Sequence, residues 1–381
     1  LPKETDNKFE VLNVYSNKIT CLDVSKNINL KELNIASNQI TSLDISNNTN
    51  LKSLNVNDND LISLDVSKNV KLEKLYASGN QITSLDVNNY SNLTELDASH
   101  NQITNLELPE ENDNKLELLD ASYNKIKSLD VSKNVNLTYL NVSSNKITSL
   151  DISKNINLTF LKVSDNKLTS LDVNNSVKLK KIYADYNQLT SLDVSNNVNL
   201  TYLDVSGNKL TSLDVSKNIN LTDLNVYNNQ LTSLELPKEN DNKLKNLQAF
   251  DNQLTSLDAS NNTNLTHLNV YGNQLTSLDV SNNINLTYLY VGNNRITTIN
   301  VSKNANLTDL DVDDNQLTSL DVSKNPNLKY LHAHNNQITS IDVSKNTNLT
   351  ELVIWDNQLT SLDLSKNLNL RELYIHDNPF N

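Results

Sequence analysis

"LKELNIASNQITSLDISNNTN", residues 30–50, is followed at once by "LKSLNVNDNDLISLDVSKNVK", residues 51–71, and the two align without a gap. The chain therefore repeats every 21 residues. An asparagine marks each repeat, at Asn17, Asn38, Asn59, Asn80 and Asn101, then from Asn124 to Asn229, then from Asn252 to Asn378, about 18 turns in all. Two steps, Asn101 to Asn124 and Asn229 to Asn252, are 23 residues long. Each contains a phrase that also opens the chain: "LPKETDNKFE" at 1–10, "LPEENDNKLE" at 108–117 and "LPKENDNKLK" at 236–245. The phrase divides one repeat domain, 1–381, into duplicated cassettes near 1–107, 108–235 and 236–381. A fixed period of this length is the mark of a solenoid, in which no turn can bury its own apolar face and stacked neighbours do so for it.

The unit reads LxxLxVxxNxLTSLDVSKNxN, and its halves have one spacing: "LKELNIASN" at 30–38 matches "ITSLDISNN" at 40–48. Period-2 alternation sends Leu33 and Ile35, then Leu43 and Ile45, to one side of an extended backbone. The expectation is two short parallel strands per turn, one on each side, with little or no α-helix. Inward asparagines at Asn38 and Asn48 suit the corners, where a side-chain amide satisfies backbone groups that a bending strand leaves unpaired.

These motifs resemble the bacterial secreted leucine-rich repeat family, the internalins, and within it the 21-residue repeats of the internalin J type. The resemblance spans essentially the whole chain. It implies a leucine-rich repeat solenoid, a right-handed superhelix or horseshoe of short parallel strands. It also implies a secreted or cell-surface location. In that subgroup the last inward position of the first strand is often cysteine, forming a ladder; here it is Val14, Ile35, Val56, Ala77, Ala98, Ala121 and Val142, so the ladder is expected to be missing.

Composition narrows the partners. The net charge of −13 disfavours nucleic acid and anionic membrane, because phosphate binding needs a basic footprint. No apolar run approaches the roughly 18 residues of a membrane span, so no insertion of this chain is expected. A single cysteine, Cys21, excludes an internal disulfide and looks like a neutral substitution for serine. Only 4 Gly and no Met are present, and no linker is visible. The text begins in mid-pattern, which suggests a processed chain or an excised fragment. A monomer is expected.

The second half-repeat scarcely varies, and its outward aspartates (Asp23, Asp44, Asp65 and their equivalents) read as local hydrogen-bond acceptors. The first half-repeat varies strongly at its outward positions, where recognition would be written. Of 14 Tyr, all but Tyr90 fall there, together with all 5 His, Phe160, Phe250 and Trp355. Outward aromatics supply large contact area at small entropic cost and dominate binding hot spots; they also stabilise cross-strand stacks with no ligand at all. Two groups form the candidate ligand-binding set. Tyr139, Phe160 and Tyr202 share a column, with Tyr183 and Tyr186 beside it. Tyr288, Tyr290, Tyr330, His332, His334, Trp355, Tyr374 and His376 form the second group, in which His334, Trp355 and His376 occupy one column of three successive turns.

Asp311 and Asp313 precede His332 and His334 by one turn, a square of ligands that zinc accepts. Strand alternation produces such squares unaided, so no metal and no cofactor are expected. No acid, base or nucleophile stands in a distinctive setting, and no catalysis is expected. The function this sequence points to is surface recognition of a host protein; a glycan-binding rod and a structural spacer are the alternatives. The inserted phrases, with Pro2, Pro109 and Pro237, are expected to be loops that keep the register.

Overall fold

A three-residue strand is all that each turn contributes to the main sheet. The computed structural model describes residues 1, 4, 7–111, 113–239 and 241–380, and among these no residue is helical. The chain forms two units, Leu1–Gln188 and Leu189–Asn381. In the first, Val11–Asn13 pairs in parallel with Glu32–Asn34 and that with Ser53–Asn55, in a register that sets Leu12, Leu33 and Leu54 in one row. In the second, Tyr202–Asp204 pairs with Asp223–Asn225, and the ladder runs on to Glu372–Tyr374. Register is forced because every row repeats its residue type, and a slip by one residue would turn the leucines out to water.

The core follows from the alternation. Leu30, Leu33, Ile35, Ile40 and Ile45 are all buried, and the same positions are filled in neighbouring turns. Leu43 is only half-buried, but its equivalents Leu64, Leu85, Leu129 and Leu150 are buried, so the second half of most turns supplies the two inward residues expected.

Two asparagine ladders hold the corners. Asn59 donates through Nδ2 to the carbonyls of Ile35 (3.0 Å), Val56 (3.2 Å) and Asn57 (3.1 Å), while its Oδ1 accepts from the N–H of Ile40 at 3.0 Å. The residue before it, Asp58, has φ 52°, and the same left-handed position recurs at Ser37, His100, Tyr123 and Asp314. The second ladder is used from one end only: Asn69 donates to the carbonyls of Ile45 and Asn48, and its buried Oδ1 has no partner. Tyr90 takes the place of one such asparagine, which explains why it alone departs from the outward tyrosines: it is buried and its hydroxyl donates to the Val66 carbonyl.

The second side differs from the expectation of a strand in every turn. Among the described residues, strands occur there only as the pairs Ser84–Asp86 with Asn105–Glu107 and Ser212–Asp214 with Ser233–Glu235. The outward aspartate makes a local turn contact in both settings: Asp44 accepts from the N–H of Ser46 (3.0 Å) and Asp65 from that of Ser67 (2.9 Å) where no strand forms, and Asp86 from Asn88 (3.0 Å) and Asp214 from Ser216 (2.8 Å) within the strand pairs. Both strand pairs lie just before an inserted phrase. The phrase keeps the register as expected, since Asn134 reaches the Pro109 carbonyl and Asn114 Oδ1, and Asn262 reaches the Pro237 carbonyl and Asn242 Oδ1. Pro2, in the first copy, lies outside the described residues.

Candidate recognition face

Parallel strands lie about 4.8 Å apart, so like rotamers in successive turns bring planar rings to stacking distance. In the first unit Tyr139 stacks on Phe160 at 4.5 Å, and Phe160 meets Tyr183 tilted at 5.5 Å. Lys162 Nζ lies 5.6 Å from the Tyr183 ring centre, a cation–π distance. Tyr186, at a left-handed position, is exposed. Tyr202 belongs to the second unit, where its hydroxyl accepts from Asn225 Nδ2 at 3.1 Å.

The second unit holds the longer constellation. His334, Trp355 and His376 form a continuous stack, with centroids 4.5 and 5.0 Å apart and planes within 18° and 13° of parallel. His267 stacks on Tyr288 at 4.4 Å, and Tyr288 meets Tyr290 edge-on at 6.5 Å. Tyr330 and Tyr374 are exposed. Burial together with Asp309 and Asp311 pushes the Tyr290 phenol up to about 12. Acidic side chains separate the rings: Tyr330 sits in register between Asp309 and Glu351, and His332 Nε2 lies 3.1 Å from Glu351 Oε1.

Asp311, Asp313, His332 and His334 lie on neighbouring turns as the spacing implies, with Asp311 in register with His332, but His332 is engaged by Glu351 and does not join the others. Asp313, Asp314 and His334 converge instead, with one ligand atom from each within 4.8 Å of the others. Asp314 was overlooked because alternation would send it to the face opposite Asp313; its left-handed φ of 43° suspends that alternation. Asp313 is 6% exposed, and its Oδ1 is buried with no hydrogen-bond partner; so is His334 Nδ1. Burial, the charge of Asp311, a hydrogen bond with it and the charge of Asp314 push the Asp313 carboxyl up to about 8. Burial pulls His334 below the usual imidazole value. His334 Nε2 lies 3.1 Å from Asp313 Oδ2.

Two further stacks escaped the reading by period: His100 on Tyr123 at 4.3 Å and Tyr227 on Phe250 at 4.4 Å. Each spans one of the 23-residue steps, where counting by 21 misses the partner.

Comparison with known proteins agrees with the repeat fold. A model of paired leucine-rich repeats matches residues 70–111, 263–305, 305–346 and 326–366, and a single-repeat model matches 26–46, 47–65, 133–154 and 196–217. The functional domain of InlJ from Listeria monocytogenes, which includes a cysteine ladder, is 33% identical, with 92% of this chain and 69% of that one covered, at TM-score 0.66. The chain belongs to the leucine-rich repeat family. YopM from Yersinia enterocolitica is 27% identical, covering 99% of this leucine-rich repeat protein and 89% of its own chain at TM-score 0.74. The internalin InlF from Listeria monocytogenes is 25% identical, with coverages of 92% and 88% and TM-score 0.56. No curated protein matches the chain. The one cysteine of this leucine-rich repeat protein, Cys21, is exposed, and no helix among its described residues is long and apolar enough to cross a membrane.

Proposed function

We propose that this leucine-rich repeat protein is an internalin-like bacterial recognition protein, secreted or displayed at the cell surface, that binds a host protein through its variable strand face. The observation that carries the reading is the His334–Trp355–His376 stack, with exposed Tyr330 and Tyr374 nearby, on the one face whose residues change from turn to turn. The opposite side repeats aspartate–serine turns and offers little specific information. A stacked core holds these side chains in place before any partner arrives, so little ordering entropy is lost on binding. The acids among the rings, Asp309, Glu351 and Glu372, favour a partner that presents arginine or lysine, which the ring faces and carboxylates attract together.

Stack geometry favours protein over glycan. A sugar needs a free ring face, whereas both faces of Trp355 are covered by imidazoles. The chain is read as a monomeric binding scaffold and not as an enzyme. The test is parallel binding to arrayed host-surface proteins and arrayed glycans, beside a Trp355→Ala/Tyr330→Ala/Tyr288→Ala variant. A protein partner whose affinity drops at least tenfold in the variant is expected. A glycan partner would favour the polymer-binding rod, and a folded chain that binds nothing on either array would favour the spacer.

A further inference from the structure

Asp313, Asp314 and His334 make a polar cluster of which the recognition reading uses only the stacked ring of His334. Three observations set it apart from an ordinary acidic surface. Asp313 is more than nine-tenths buried, yet its Oδ1 meets no hydrogen-bond donor. That oxygen is aimed into the gap left by a glycine: a Cβ added to Gly292 would lie 1.8 Å from Asp313 Oδ1 and 2.9 Å from Asp311 Oδ1. His334, fixed by its stack on Trp355, brings an imidazole to the same place, 3.1 Å from the second oxygen of Asp313. A buried carboxylate among other carboxylates is costly unless something positive offsets it, and the charges acting on Asp313, from Asp311 and Asp314, are both negative.

We infer that Asp313, Asp314 and His334 form a binding site for one divalent transition-metal cation, with Zn²⁺ as its representative. Carboxylate oxygens together with an imidazole suit zinc and its neighbours, whereas calcium takes six to eight oxygens and magnesium retains its water. The ligand atoms lie within 4.8 Å of one another, a separation that two bonds of about 2.0–2.2 Å span after a small contraction. Asn335 Nδ2 donates to Asp314 Oδ1 at 2.5 Å, the kind of outer support that orients a ligand. Asp311 stands beside the cluster and water completes the coordination.

The site stands independently of the proposed partner, because it is read with metal alone. The full chain, prepared without an affinity tag and stripped with chelator, is titrated calorimetrically with zinc chloride, and separately with calcium and magnesium chloride. One zinc ion per chain is expected, bound more tightly than calcium. Asp313→Asn and His334→Gln should each weaken binding more than about 100-fold, since loss of a ligand costs at least as much as loss of its support. His332→Gln, which removes the imidazole paired with Glu351, should leave zinc affinity unchanged. Circular dichroism confirms that each variant is folded, and His334→Gln carries the test if Asp313→Asn is not. Absence of zinc binding, calcium binding tighter than zinc, or zinc binding retained in both ligand variants would overturn the inference.

Discussion

A single asparagine in this fold does the work that a whole hairpin turn does elsewhere, and the two ladders differ in how much of the side chain they use. Asn59 satisfies three carbonyls and one N–H; the carbonyls each keep a second donor, from Asn38, Asn80 and Ser37, so removing Asn59 strands the Ile40 N–H in a dry corner. Asn69 satisfies two carbonyls and leaves its own Oδ1 unpaired. Each buried group left without a partner costs on the order of 1–3 kcal/mol, part of which water recovers. We therefore expect Asn59→Ala to destabilise by about 2 kcal/mol, and Asn69→Ala, whose two carbonyls keep backbone donors, by about half as much, measured as shifts in chemical-denaturation midpoint. Equal costs would mean that the idle oxygen is not idle in solution. The sequence announced both ladders through their spacing, but not this asymmetry, because which end of an amide finds a partner depends on the path of the neighbouring turn.

At the scale of the element, the strand face was legible and the opposite side was misjudged. Leu33 and Ile35 revealed an extended segment because alternation is a strong signal. "SLDIS" at 42–46 has the same alternation, yet no strand forms there, while "SLDVN" at 84–88 pairs with Asn105–Glu107 although Asp86 makes the same turn contact as Asp44. Pattern alone does not separate the two cases. The aromatic columns were legible at some 21-residue steps, although His267 on Tyr288 was missed, and hidden at the 23-residue steps, as His100 and Tyr123 demonstrate. The aspartate turns carry a pH signature. The Ser46 hydroxyl and N–H hold Asp44 below its usual value; Asp65, Asp151, Asp321 and Asp363 are lowered by the equivalent serines. A depressed folded-state value means that the stabilisation is fully present above the unfolded value of about 3.9 and is lost as pH falls through the folded value. Denaturation midpoints should therefore decline below about pH 4. A midpoint that holds steady down to pH 2.5 would mean that these contacts are absent in solution.

At the largest scale, the governing fact within each unit is that successive turns meet through the same rows. Stability in such an array is a sum of turn and nearest-neighbour contributions. Removing residues 51–71, one complete turn of the first unit, joins Asn50 to Leu72 and restores every row: leucine to leucine, asparagine to asparagine. That variant should fold and melt cooperatively, with a circular dichroism spectrum like the parent's. Removing only 51–61 sets the strand half of one turn against the aspartate half of the next and should abolish the cooperative melt. If both deletions behave alike, the rows do not govern folding.

The inserted phrase has a further consequence at the level of the gene. Asn114 and Asn242 carry the corner ladder through the longer connection, so a cassette of any number of whole turns can follow another without a seam. Unequal crossing-over between near-identical coding repeats then yields products that still fold, provided the exchange is in phase. Selection can lengthen or shorten the display surface by recombination alone, while point substitution is left free to rewrite which rings each turn presents.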